Sequence, residues 1–113
     1  MKGINVLRIF LALIALVFML GQSVSAEEVL QQESANGSRN LRPFTVKDGW
    51  ELRWDAKGDR FTVTLYASNG TPVDSLASQH KPGAGSSYHP KGGTYYLSII
   101  SSGDWAVTVV QLP

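Results

Sequence analysis

Beyond residue 41 the apolar residues fall in short alternating runs, broken at close intervals by Gly, Pro, Asn and Asp. Trp50, Leu52 and Trp54 share one parity, while Glu51, Arg53 and Asp55 share the other. A repeat of two with opposite character on its two faces is what a half-buried antiparallel strand requires. Phe61, Val63 and Leu65 alternate in the same way with Thr62, Thr64 and Tyr66. Residues 42–46 predict a short first strand and residues 73–79 a weaker one, which Pro72 places at an edge. Asn69–Gly70 predicts a tight hairpin turn with positive φ at both residues. Residues 94–101 and 105–112 predict a closing hairpin across Ser102–Gly103–Asp104. No stretch after residue 41 repeats apolar residues at helical spacing. The expected fold class is therefore all-β: a small antiparallel β-sandwich, jelly-roll-like or an open barrel, of six to seven strands.

Two stretches lack this alternation. Residues 27–41 (EEVLQQESANGSRNL) are polar, with four apolar residues unable to fill a helical face, and predict a flexible leader. Residues 80–93 (HKPGAGSSYHPKGG) predict a long irregular loop, with a brief extended piece at residues 87–89. The domain proper is then residues 42–113.

The N-terminus has a different character. Lys2 and Arg8 precede an uninterrupted apolar run of residues 9–20, and Val24 and Ala26 give the small-residue spacing of a processing site. That run is too short for a membrane span, which needs roughly 20 apolar residues. Residues 1–26 read as a cleaved signal peptide, which implies a periplasmic or secreted product with no membrane span after cleavage. Removing 26 of the 113 residues leaves 87. All nine acids remain, but Lys2 and Arg8 leave with the signal, so ten basic residues become eight and the net charge becomes −1. A near-neutral chain is not built to hold nucleic acid through bulk charge. With no cysteine, a disulfide framework, a thiol nucleophile and thiolate metal sites are all excluded.

Candidate chemistry is sparse. Serines accompany His80 and His89, but no Gly-x-Ser-x-Gly turn appears, and Ser86 and Ser87 lie in a Gly-rich stretch whose flexibility alone explains them. The nine-residue separation of the two histidines is not a metal-ligand spacing. Asp55 and Asp59 flank Lys57–Gly58 without the further oxygen donors of a calcium loop. No cofactor and no metal are expected. Asn36–Gly37–Ser38 and Asn69–Gly70–Thr71 match a glycosylation acceptor pattern that matters only in a eukaryotic host.

The aromatic residues carry more information. Trp50, Trp54, Phe61 and one of Tyr95 or Tyr96 lie on faces that must build the core. Trp105 follows a turn, and Tyr66, Tyr88 and one of the Tyr95–Tyr96 pair are expected to face outward. Residues 80–93 add His80, Lys81, His89 and Lys91 with no acid, the one local positive region. The candidate partner-binding residues are therefore Tyr66, His80, Lys81, Tyr88, His89, Lys91 and Trp105.

The order of pieces also carries a resemblance. Phe44–Thr45–Val46 is followed by Trp50–Glu51–Leu52 and then by a strand from Phe61 to Tyr66 before Asn69–Gly70. Gly92–Gly93–Thr94–Tyr95–Tyr96–Leu97 and Trp105–Ala106–Val107–Thr108–Val109 complete it. Over residues 42–112 this resembles the bacterial pre-peptidase C-terminal type of β-sandwich. The resemblance implies an accessory domain of secreted enzymes without catalytic residues of its own. The chain departs from the family in carrying Thr62, Val63 and Thr64 where an acidic pair often precedes the "Leu-Tyr" strand, so no calcium role is carried over.

The reading that results is a non-catalytic exported binding module. It would recognise a protein or a glycan through exposed aromatics and residues 80–93, as a monomer or weak dimer. Two other readings stay open: an inhibitor of an exported hydrolase (protease or lysozyme), and a structural or assembly protein that pairs through the edge strand at residues 73–79.

Overall fold

The computed structural model describes residues 26–113. The expected signal peptide, its last residue Ala26 excepted, lies outside them. The described residues form nine strands: β1 (Glu28–Asn36), β2 (Arg39–Asn40), β3 (Phe44–Val46), β4 (Trp50–Ala56), β5 (Phe61–Ala67), β6 (Pro72–Gln79), β7 (Gly83–His89), β8 (Gly93–Ser101) and β9 (Asp104–Gln111). They make two antiparallel sheets, one ordered β1-β9-β4-β7 and the other β2-β8-β5-β6, with β3 also paired to β8. The chain is an all-β sandwich, as its alternation predicts.

Between the sheets lies the core that the alternation marks out. Trp50, Leu52 and Ala56 from β4, Phe61, Val63 and Leu65 from β5, and Leu97 and Ile99 from β8 are fully or almost fully buried. Val107 and Val109 of β9 and Phe44 and Val46 of β3 join them. Each such large apolar side chain contributes about 1.5–3 kcal/mol of transfer free energy. All three indole N–H groups find acceptors: Trp50 at Lys91 O (3.0 Å), Trp54 at Gln79 Oε1 (3.0 Å) and Trp105 at Gly37 O (2.7 Å). Large amphipathic rings can then fill a small core without leaving an orphaned donor.

Residues 27–41, expected as a flexible leader, are corrected most. Glu28–Asn36 is strand β1, paired with β9 from Glu28↔Gln111 to Asn36↔Asp104. Its alternation is hidden for two reasons. A register shift between Val29 and Gln31 breaks the parity. The inward positions that follow are Gln31, Glu33 and Ala35, of which two are polar. Their polarity is met in part: Gln31 Nε2 donates to Arg42 O (2.9 Å) and Glu33 Oε1 stands 3.4 Å from Arg42 Nε, while the buried Gln31 Oε1 has no hydrogen-bond partner among the described residues. Leu30 and Ala35 pack on the core.

Residues 80–93 are the second correction. Half of this stretch is strand β7, extended over seven residues rather than three and paired with β4 throughout. The expected closing hairpin is the third. β8 pairs with β5, β2 and β3, while β9 pairs with β4 and β1, so the turn between β8 and β9 crosses from one sheet to the other. Both strands carry a continuous inward apolar row, and facing rows bury more surface than adjacent ones. At the β5–β6 hairpin only Gly70 has a positive φ (91°), and Asn69 does not. Gly70 N–H donates to Ala67 O (2.9 Å) and Ala67 N–H to Thr71 O (2.9 Å), so a tight turn is followed by one left-handed glycine.

Candidate binding surface

Among the described residues β7 is an end strand, bonded to β4 alone. Its seven pairs run from Trp50↔His89 to Ala56↔Gly83 without a register shift. The bonds that join β4 to β9 fix which of its main-chain groups are used. Leu112 N–H donates to Gly49 O (3.2 Å) at one end of β4, and Lys57 N–H donates to Asp104 O (2.8 Å) at the other. Antiparallel ladders alternate, so odd-numbered residues of β4 turn to β9 and even-numbered ones to β7. Trp50, Leu52 and Trp54 therefore bond His89, Ser87 and Gly85. The N–H and C=O groups of Ala84, Ser86 and Tyr88 point to the outer edge.

Packing beneath explains why this strand is made of small residues. The Trp54 ring lies directly on Gly85, where a Cβ would come within 2.6 Å of Cζ2. Trp54 in turn is held by Gln79 Oε1, while Gln79 Nε2 donates to Lys81 O (3.0 Å) and Gly83 O (3.2 Å). One glutamine thus fixes the crossover from β6 into β7. His80 and Lys81 sit on that crossover with exposed side chains.

At the far end of β7, Tyr88 is 61% exposed on the outer face, opposite Glu51. His89 points the other way and is buried. It packs on Trp50 (ring centroids 5.3 Å apart) and edge-on to Tyr95 (5.8 Å), with Nδ1 3.7 Å from Asp74 Oδ2 of β6. The Lys91 carbonyl accepts from Trp50 Nε1 and Tyr95 Oη, so its backbone is anchored while its side chain is exposed.

Of the seven residues singled out from sequence, His80, Lys81, Tyr88 and Lys91 lie along β7 and its flanks. The strand between the two lysines is roughly 20 Å long at ~3.4 Å per residue. The other three are placed elsewhere. His89 belongs to the buried layer under this surface. Trp105, a candidate binding residue after a turn, is 3% exposed, because the chain has just crossed into the other sheet and its indole donates inward to Gly37 O. Tyr66 lies on the opposite sheet, half-buried and stacked on Tyr96 with centroids 5.2 Å apart and an interplanar angle of 7°.

Asp55 and Asp59, the calcium-like fragment, are occupied separately. Asp55 Oδ2 takes Lys57 Nζ (3.2 Å), and Asp59 Oδ1 accepts from Ser102 Oγ (2.8 Å). Among the described residues no three His, Asp or Glu side chains converge as metal ligands would.

Sequence reasoning missed one charged cluster on the outer face. Arg53 Nη2 donates to Glu27 Oε1 (2.8 Å) and Nε to Glu51 Oε1 (2.5 Å). Its hydrogen bonds to Glu27 and Glu51 raise the guanidinium pKa above its ordinary value, and the bond from Arg53 lowers that of Glu27. Glu51 and Arg53 share a strand face, which was a visible signal. Glu27 is distant in sequence and arrives only because β1 is ordered.

No family model matches the chain, and no curated protein matches it. Solved structures resemble it in shape at low identity. PliG of Aeromonas hydrophila, a periplasmic lysozyme inhibitor of g-type lysozyme, is 13% identical at a TM-score of 0.46, covering 77% of this chain and 88% of that one. A chain of the infectious bursal disease virus Gt strain is 13% identical at a TM-score of 0.40, covering 80% of this chain and 32% of its own. A Bacillus endospore appendage that forms disulfide-linked pili is 11% identical at 0.34, covering 73% and 90%.

Proposed function

We propose that this is an exported binding module without catalytic chemistry of its own, and that it engages a protein partner along β7. The observation that carries this reading is the combination of a free, uninterrupted strand edge with Tyr88 exposed on its face and Lys81 and Lys91 beyond its ends. Exposed tyrosine supplies contact area at small entropic cost, and main-chain groups on a rigid sheet are already ordered for binding. The strand motifs shared with pre-peptidase C-terminal domains enter the same proposal, since those domains are accessory. Inhibition of an exported hydrolase is the finer form of the reading: a short rigid domain suits insertion into an enzyme cleft.

The test is capture by the immobilised chain from an envelope extract, beside a glycan array and activity assays on exported lysozyme and protease. A protein retained by the wild type and lost about tenfold or more by Lys81→Ala/Tyr88→Ala/Lys91→Ala supports the proposal. Undiminished capture by the triple variant, or retention of glycans alone, overturns it. Stoichiometric loss of lysozyme or protease activity separates an inhibitor from a simple adaptor.

A further inference from the structure

We infer that the outer edge of β7 accepts an extended segment of a partner protein as an added strand, with acidic residues flanking the paired stretch. This deepens the proposed function and rests on its assignment of β7 as the contact surface.

The edges of the two sheets are unequal. β6 begins with Pro72, carries Asp74 and slips register twice, between Val63/Thr64 and between Leu65/Tyr66 of its neighbour. β1 is kinked between Val29 and Gln31 and bears Glu28 and Glu33. β2 and β3 are two and three residues long. Prolines, charges, bulges and short length are the usual devices that stop a sheet edge from pairing with another chain. β7 has none of them: it is regular over its seven pairs and has no charge from Gly83 to Tyr88. The residues 73–79 edge, left open as a pairing edge in one alternative reading, is guarded, and the unguarded edge lies one strand later.

Three outward residues, Ala84, Ser86 and Tyr88, offer the donors and acceptors of a strand-addition site, where main-chain bonds supply affinity and alternate side chains supply selectivity. Charge names the occupant. Lys81 and Lys91 bracket the edge. A second copy laid antiparallel on β7 would set Lys81 against Lys91 at both ends, whereas an acid-flanked segment would complement both.

The experiment uses a synthetic peptide of alternating threonine and valine with aspartates at both ends, and its counterpart with lysines at both ends. Binding to the described domain is followed by titration and by amide hydrogen exchange. The aspartate peptide is expected to bind at least about tenfold more tightly than the lysine peptide, a difference of about 1.4 kcal/mol. It should also slow exchange at the Ser86 and Tyr88 amides. Ser86→Pro removes an outward donor and leaves the β4 ladder whole, so it should abolish binding at an unchanged unfolding midpoint. Ser87→Pro breaks the ladder instead and serves as the folding control. Equal binding of the two peptides, or full binding by Ser86→Pro, overturns the inference. So does a concentration-dependent dimer that Ser86→Pro dissolves, since the occupant is then a second copy. A natural partner that Lys81→Ala/Tyr88→Ala/Lys91→Ala loses and Ser86→Pro keeps refutes strand addition and leaves the proposed surface standing.

Discussion

Gly58 and Gly103 meet backbone to backbone: a Cβ on Gly58 would lie 2.7 Å from Gly103 N, and one on Gly103 would lie 2.9 Å from Gly58 Cα. The two residues belong to the turns that carry β4 into β5 and β8 into β9, both of which cross between the sheets. Lys57 N–H to Asp104 O (2.8 Å) and Ser102 N–H to Arg60 O (3.1 Å) fasten the same contact. Side chains can rotate away from an added methyl, but backbone cannot. Gly58→Ala and Gly103→Ala are each expected to cost ~1–3 kcal/mol. The urea midpoint at constant m-value measures this, and an unmoved midpoint would mean that the turns do not touch.

The second prediction concerns β1. Deleting residues 26–36 strips β9 of a neighbour, exposes the main-chain groups of that edge and removes Leu30 and Ala35 from the core. A loss of roughly 3 kcal/mol or more is expected, a large share of the stability of a small domain. Thermal unfolding of the truncated and full domains checks it. Equal melting temperatures would restore the leader reading.

These two cases show where sequence was sufficient. Period-two alternation located β4, β5, β8 and β9 because their inward positions are uniformly apolar. It failed at β1, where Gln31 and Glu33 point inward and where Gln31 Nε2 and the Glu33 carboxylate meet Arg42, a partner invisible to local pattern. It failed again at β7, where Trp54 fills the space above Gly85, so the strand itself needs no apolar side chain. Sheet assignment was beyond local pattern altogether, since a two-residue turn serves a hairpin and a crossover alike. Of the candidate site, the basic and aromatic residues of 80–93 could be read directly. The free edge between them could not.

Gly85→Val tests the packing under that edge. The new side chain occupies the place of the Trp54 ring, whose indole N–H is held by Gln79 Oε1. Destabilisation of ~1–3 kcal/mol is expected, together with a red shift of tryptophan emission as the ring is lifted into water. Unchanged emission and stability would contradict the contact.

Removing a donor tests the third tryptophan's bond. Trp105→Phe keeps most of the apolar volume but leaves Gly37 O without its 2.7 Å donor. A cost of about 1–3 kcal/mol is expected from the unpaired group and the smaller ring. Hydrogen exchange should quicken first around Asn36 and Asp104, which are joined by a 2.7 Å side-chain bond beside it. Uniform quickening across both sheets would argue against a local role.

The Glu27 carboxyl supplies the pH prediction. Its bond from Arg53 lowers its pKa below the ordinary 4.5, so the unfolded chain binds this proton more readily than the folded one. The stabilisation is present above pH 4.5 and is lost as pH falls through the lowered value. Glu27→Gln mimics the protonated carboxyl, so it should leave stability at low pH unchanged and lower the neutral plateau by the same amount that it flattens the acid limb. That amount is kept small because the pair is exposed and screened. An identical acid limb in the variant would count against the pairing.

The pairing of β1 with β9 has a consequence for how the chain becomes a protein. Asn36 and Asp104, opposite each other in that ladder, are separated by 68 positions. The first strand therefore waits for the last. Closing so large a loop is entropically slow, and contacts of this range are typically late events in folding. A chain that emerges from one end, whether from a ribosome or through a narrow conduit, must hold β1 unmated until nearly everything else has passed. Its first and last described strands close one ladder only once both are present.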